Sequence, residues 1–126
     1  MLKTLLTAGL VTLGLAGAAL AEGDADKGKK IFNKCKACHA VGDGAKNKVG
    51  PQLNGIVGRA AGQVDGFKYS KAMIAKGEEG LVWDEAALSA YLTKPKDFVP
   101  GTKMSFAGLK KEKEIADILA YLGTFQ

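Results

Sequence analysis

The chain is short of the residues on which most site chemistry depends: among 126 positions there are one histidine, one arginine, two cysteines and three prolines, and aromatic residues make up 7%. A lone histidine excludes sites built from several imidazoles, and beside two cysteines it leaves zinc short of the four ligands it favours. A lone arginine excludes an Arg-rich segment of the kind that grips nucleic acid. Two cysteines allow one disulfide at most. No stretch of useful length alternates apolar and polar residues, so a sheet-based fold is excluded and an all-α domain is expected.

What is present begins with the N-terminus. Lys3 precedes an apolar run over residues 5–20 that is interrupted by Thr7, Gly9, Thr12, Gly14 and Gly17 and ends in the A-x-A tripeptide Ala19-Leu20-Ala21. A retained membrane anchor would be longer and less broken, so residues 1–21 read as a secretory signal peptide cut after Ala21, with the product in the periplasm. Taking 21 residues from 126 leaves 105, residues 22–126, enough for one small domain. Losing Lys3 leaves 17 basic and 13 acidic residues, a formal charge of +4. With no Arg-rich block and an export signal, that balance points to acidic protein surfaces rather than nucleic acid or stable membrane insertion.

Three helices are expected. Asp24 can cap one whose Gly28, Ile31, Phe32 and Cys35 share a face; Asp84 can cap a second carrying Leu88, Tyr91 and Leu92 up to Pro95; a third runs over residues 111–122 with Ile115, Ile118, Leu119 and Leu122 inward. Gly28 has no side chain, so the terminal helices could cross closely there, near Phe32 and Tyr121. Residues 42–66 and 95–108 look loop-rich. A domain this small needs help to build a core, and a central cofactor would supply it.

The string Cys35-Lys36-Ala37-Cys38-His39 supplies the candidate. Two cysteines in an exported chain could form a structural disulfide or a thioredoxin-like redox pair. A histidine directly after the second cysteine makes the pattern C-x-x-C-H instead, in which each thiol can add to a haem vinyl group and the tether delivers the imidazole to one face of the iron. The other nitrogen of that ring needs an acceptor to fix it. Gly50-Pro51 lies a loop away, and a proline carbonyl can accept.

The sixth iron ligand decides carrier against catalyst, and with no second histidine a thioether, an amine or an open site remains. Met1 leaves with the signal peptide. Met73 sits with Ile74 in an apolar helical turn, where methionine is ordinary core filler. Met104, in Pro100-Gly101-Thr102-Lys103-Met104, stands in a Pro/Gly loop that can aim it inward and is the preferred ligand.

Cys35 to His39, Gly50-Pro51-Gln52-Leu53, Gly58-Arg59, Gly66-Phe67-Lys68-Tyr69, Trp83, Tyr91-Leu92, Pro95 and the Pro100 loop stand in the order in which they occur in class I cytochrome c. The chain resembles that family over nearly all of residues 22–126, and most of all its mitochondrial and short bacterial c2 (c550) types. The resemblance implies three main helices plus loops wrapped around one covalently bound haem c, with His39 and Met104 as axial ligands and the Pro51 carbonyl bonded to His39. It implies that Tyr69, Trp83 and Thr102 hydrogen-bond the haem propionates, that Arg59 partly neutralises them, and that Tyr91 bonds the Met104 sulfur. Many mitochondrial-type members carry asparagine where Met73 stands, and residues 78–80 look like a small surface insertion.

Lys34, Lys48, Lys94, Lys96 and Lys103, with Phe106 as an apolar contact, flank the segments expected around the exposed haem edge, and form a candidate docking face. The resemblance implies a monomeric one-electron carrier, not an enzyme, taking electrons from a cytochrome bc-type complex and passing them to a cytochrome c oxidase or a photosynthetic reaction centre. A peroxidase-like enzyme, the main alternative, would need an open sixth site and distal acid–base groups.

Overall fold

A computed structural model describes Gly9 and residues 23–126. The expected signal peptide, apart from Gly9, lies outside the described residues.

Asp24 starts the first helix: its Oδ1 accepts from the amides of Asp26 at 2.9 Å and Lys27 at 3.2 Å. The helix α1, Ala25–Ile31, is only 7 residues long and tightens into a 3-10 turn over Phe32–Lys34. The expected stripe therefore breaks one turn before Cys35. So short a helix is marginal alone, and its stability comes from crossing α5, Glu112–Leu122, whose Ile115, Ile118, Leu119 and Leu122 are all buried. A methyl group on Gly28 would overlap the Asp117 carbonyl, so only glycine lets the two backbones meet this closely. Phe32 and Tyr121 pack beside the crossing with ring centroids 5.5 Å apart.

The crossing also holds a buried acid absent from the sequence-based core. Asp117, 3% exposed, accepts from the Asp24 amide at 2.8 Å and from Lys113 Nζ at 2.7 Å. The Lys113 bond first, and then that amide, hold its carboxyl below the usual aspartate range.

Three more helices complete the shell. Ser70 Oγ accepts the Met73 amide at 3.0 Å and opens α2, Lys71–Glu78, whose buried residue is Met73. Asp84 Oδ1 accepts the Ala87 amide at 2.8 Å and opens α3, Glu85–Thr93, with Leu88 and Tyr91 buried. Lys94 is pushed out of helical geometry before Pro95, which occupies the first turn of α4, Pro95–Phe98. The region expected to be loop from residue 95 onward thus begins with one helical turn. Among the described residues there is no strand; a single bridge between Ala60 and Val82 ties two loops together. No helix among them is long and apolar enough to cross a membrane.

Candidate cofactor site

The 3-10 turn hands the chain to a further tight turn. The amides of Cys38 and His39 both bond the Cys35 carbonyl, at 3.0 and 2.9 Å, which sets both thiols and the imidazole on one short segment. Neither thiol is in a disulfide. Burial pushes the Cys35 thiol pKa up, opposed by the charge of Lys34.

His39 is fixed from two sides. Its Nδ1 lies 2.7 Å from the Pro51 carbonyl. That oxygen can only accept, so Nδ1 carries the proton and Nε2 keeps its lone pair. The ring lies against Gly50, whose amide bonds the Cys38 carbonyl at 2.8 Å; a Cβ there would fall within 2.9 Å of Nε2. Burial lowers the imidazole pKa more than the Pro51 bond raises it, which favours the neutral ring.

Met104 is carried by the loop after α4. The Thr102 amide bonds the Val99 carbonyl at 3.0 Å, and Thr102 Oγ1 accepts the Met104 amide at 3.3 Å. The same hydroxyl meets the Tyr91 hydroxyl at 2.6 Å. The resemblance implied a bond from Tyr91 to the Met104 sulfur; the partner seen for the phenol is the Thr102 hydroxyl. Tyr69 is likewise engaged within the chain, its hydroxyl oxygen accepting the Val64 amide at 3.1 Å. Trp83, 5% exposed, packs on Tyr91 with centroids 5.0 Å apart.

All ten expected cofactor and metal residues, Cys35, Cys38, His39, Pro51, Arg59, Tyr69, Trp83, Tyr91, Thr102 and Met104, line one cavity of about 250 Å³. Its remaining walls are largely apolar and include Leu53, Ile56, Met73, Leu88, Ile118 and Leu122. The lining suits a mostly apolar group. At its edge Arg59 Nη1 donates to the carbonyls of Gln52 and Asn54, both at 3.1 Å. Burial pushes its pKa down, and no carboxylate pairs with it among the described residues, so the guanidinium suits a group bearing acidic arms.

Of the docking candidates, Lys34, Lys103 and Phe106 line the cavity, whereas Lys48, Lys94 and Lys96 do not. Lys34 lies 3.7 Å from Glu114 and Lys94 lies 3.8 Å from Asp97, so acids sit beside two of the five lysines. Val49, 78% exposed at the cavity wall beside Lys48, was not expected there from sequence.

A thiol pair, a neutral imidazole and a thioether around one apolar cavity define a haem site of the c type. The chain belongs to the cytochrome c family, whose model matches residues 25–126. It is 55% identical over 98 residues to cytochrome c2 of Afifella marina, covering 78% of this chain and 79% of the relative. It is 56% identical over 99 residues to cytochrome c-550 of Ancylobacter novellus, covering 79% and 92%. The structure of cytochrome c2 from Rhodospirillum centenum superposes with a TM-score of 0.79 at 42% identity, covering 82% of this chain and 99% of that one. The fold is therefore that of class I cytochrome c, and the chain is a mono-haem electron carrier with one covalently attached haem c.

Proposed function

We propose that the haem is bonded through Cys35 and Cys38, that His39 and Met104 are its axial ligands, and that the chain shuttles single electrons through the periplasm. Its donor in this reading is a cytochrome bc-type complex and its acceptor a terminal oxidase or a photosynthetic reaction centre. The observation that carries the ligand assignment is the 2.7 Å bond from His39 Nδ1 to the Pro51 carbonyl. It spends the one proton of the neutral ring and leaves Nε2 free to bind a metal.

The bound haem supplies a one-electron Fe(III)/Fe(II) couple. Gly50 and Pro51 would hold the imidazole in one orientation on the iron. Met104 presents a soft thioether, which favours the reduced iron and raises the potential. The apolar wall would keep water from the bound group, and Arg59, with Tyr69, Trp83 and Thr102 at the same cavity, would hold its acidic arms. With Met104 in the sixth position no open site would remain for a substrate on the iron, which sets this reading apart from a peroxidase-like enzyme.

Lys34 and Lys103, at the cavity wall with Phe106, together with Lys48, Lys94 and Lys96 would offer positive charge to an acidic partner, the expected origin of fast, transient, salt-sensitive association by a monomer. Removal of residues 1–21 on export would place the carrier between its membrane partners. The test is kinetic: electron transfer from the purified holoprotein to an oxidase and to a reaction centre, measured against ionic strength. At least one rate should fall steeply with salt, and Lys103→Gln should slow it severalfold at low salt only. If neither complex accepts electrons, the shuttle reading is wrong.

A further inference from the structure

We propose that Phe125 and Gln126, beyond the end of α5, are positioning residues for His39, acting as a latch on the loop that carries Pro51. The inference rests on His39 being an iron ligand. The Phe125 carbonyl accepts the Gly55 amide, and Gln126 Nε2 donates to the Val57 carbonyl at 3.2 Å, across 69 positions of sequence. Phe125 is anchored by its edge-to-face contact with Tyr121, centroids 5.0 Å apart, and so by α5.

From the latched segment the connection to His39 is short and continuous. The Leu53 amide bonds the Ala40 carbonyl at 3.0 Å, and Asn54 bonds Gly42 twice, at 2.8 and 2.9 Å. Pro51 stands two residues before Leu53, and Ala40 directly follows His39. The loop is thus held to the residue after His39 on one side and to the tail on the other. The tail restrains the segment whose carbonyl receives the Nδ1 proton. A firm bond there makes the imidazole a better donor and stabilises the oxidised iron. Loosening the latch should therefore raise the reduction potential.

The test compares the parent holoprotein with two variants, deletion of residues 125 and 126 and the milder double change Phe125→Leu with Gln126→Ala. Asp117→Asn serves as a destabilised control that does not touch the loop. Amide exchange at Gly55 and Leu53, exchange of the His39 Nδ1 proton and the midpoint potential are read for each. The latch predicts exchange at all three sites at least tenfold faster in the latch variants. It also predicts an electron-transfer equilibrium shifted about threefold toward reduction, which is roughly 28 mV at 59 mV per tenfold for one electron. The control should move neither the Nδ1 proton nor the potential.

Faster Gly55 exchange with an unchanged Nδ1 proton and potential would overturn the proposal and leave the tail a local staple. Equal shifts in the control would overturn it as general destabilisation. Should the parent's ferrous iron prove not to be held by His39, as judged by an unchanged spectrum in His39→Ala, the ligand assignment itself fails, a result separate from the latch.

Discussion

Gly50→Ala isolates the packing that orients His39. The Gly50 backbone is not in the left-handed region, so an added methyl meets no backbone penalty. Its cost comes from the imidazole: the new carbon would overlap Cε1 and lie 2.8 Å from Nδ1 and 2.9 Å from Nε2. The ring has little room to retreat, because its backbone is tied to Cys35 and its Nδ1 to Pro51, the residue next to the substitution. Overpacking of this kind costs about 1–3 kcal/mol, and losing the Pro51 bond adds about 0.5–1.5 kcal/mol. The sum, roughly 1.5–4.5 kcal/mol, is a large share of the stability of a domain this size. Denaturant unfolding of the ferric holoprotein, followed by Trp83 fluorescence, measures it, and the potential should move with it. Val49→Ala, at a side chain 78% exposed, provides the neighbouring control and should cost under ~0.5 kcal/mol. If Gly50→Ala behaves like that control, the histidine is not held as described.

Two further changes address the scaffold. Asp117 has a depressed carboxyl pKa in the folded state, so its stabilisation is present above the unfolded value of about 3.9 and is lost as pH falls through the folded value. Asp117→Asn should therefore lower the denaturation midpoint at pH 7 and lose that difference as the pH is taken well below ~3.9; a difference independent of pH would show that the carboxylate charge contributes nothing. Tyr91→Phe removes the 2.6 Å bond to Thr102 and should destabilise by about 1 kcal/mol. It should also speed amide exchange at Met104, and protection unchanged at that amide would show that the Met loop does not depend on the phenol.

The parts of this molecule written in local pattern were legible in the sequence. Asp24, Asp84, the 115/118/119/122 stripe and the glycine at the crossing each carry their meaning within one turn, and the structure places all of them as expected. The C-x-x-C-H string is equally local, and the haem c that it implied agrees with the family to which the chain belongs.

What escaped was set by partners distant in sequence. Asp117 was not singled out in the sequence, because one of its two donors, the Asp24 amide, lies 93 positions away. Helix α2 showed in the sequence only as a helical turn at Met73 and Ile74, because its buried face is a single methionine, although Ser70 stood where a cap should. The bond between the Tyr91 and Thr102 hydroxyls joins α3 to the loop after α4, a pairing that spacing alone does not indicate. Gly50 drew notice only as the neighbour of Pro51, while its absent side chain is what admits the imidazole. A glycine directly before the proline expected to bond His39 was the available signal.

The most direct test of the account is the ligand set of the iron. Holoprotein made alongside haem-attachment machinery should show, in its ferric spectrum at neutral pH, the weak band of sulfur-to-iron ligation, and its ferrous form should resist carbon monoxide. Met104→Ala should abolish the band and admit carbon monoxide, while Met73→Ala, which lines the same cavity, should leave both unchanged. A band that survives Met104→Ala and disappears with Met73→Ala would contradict the assignment.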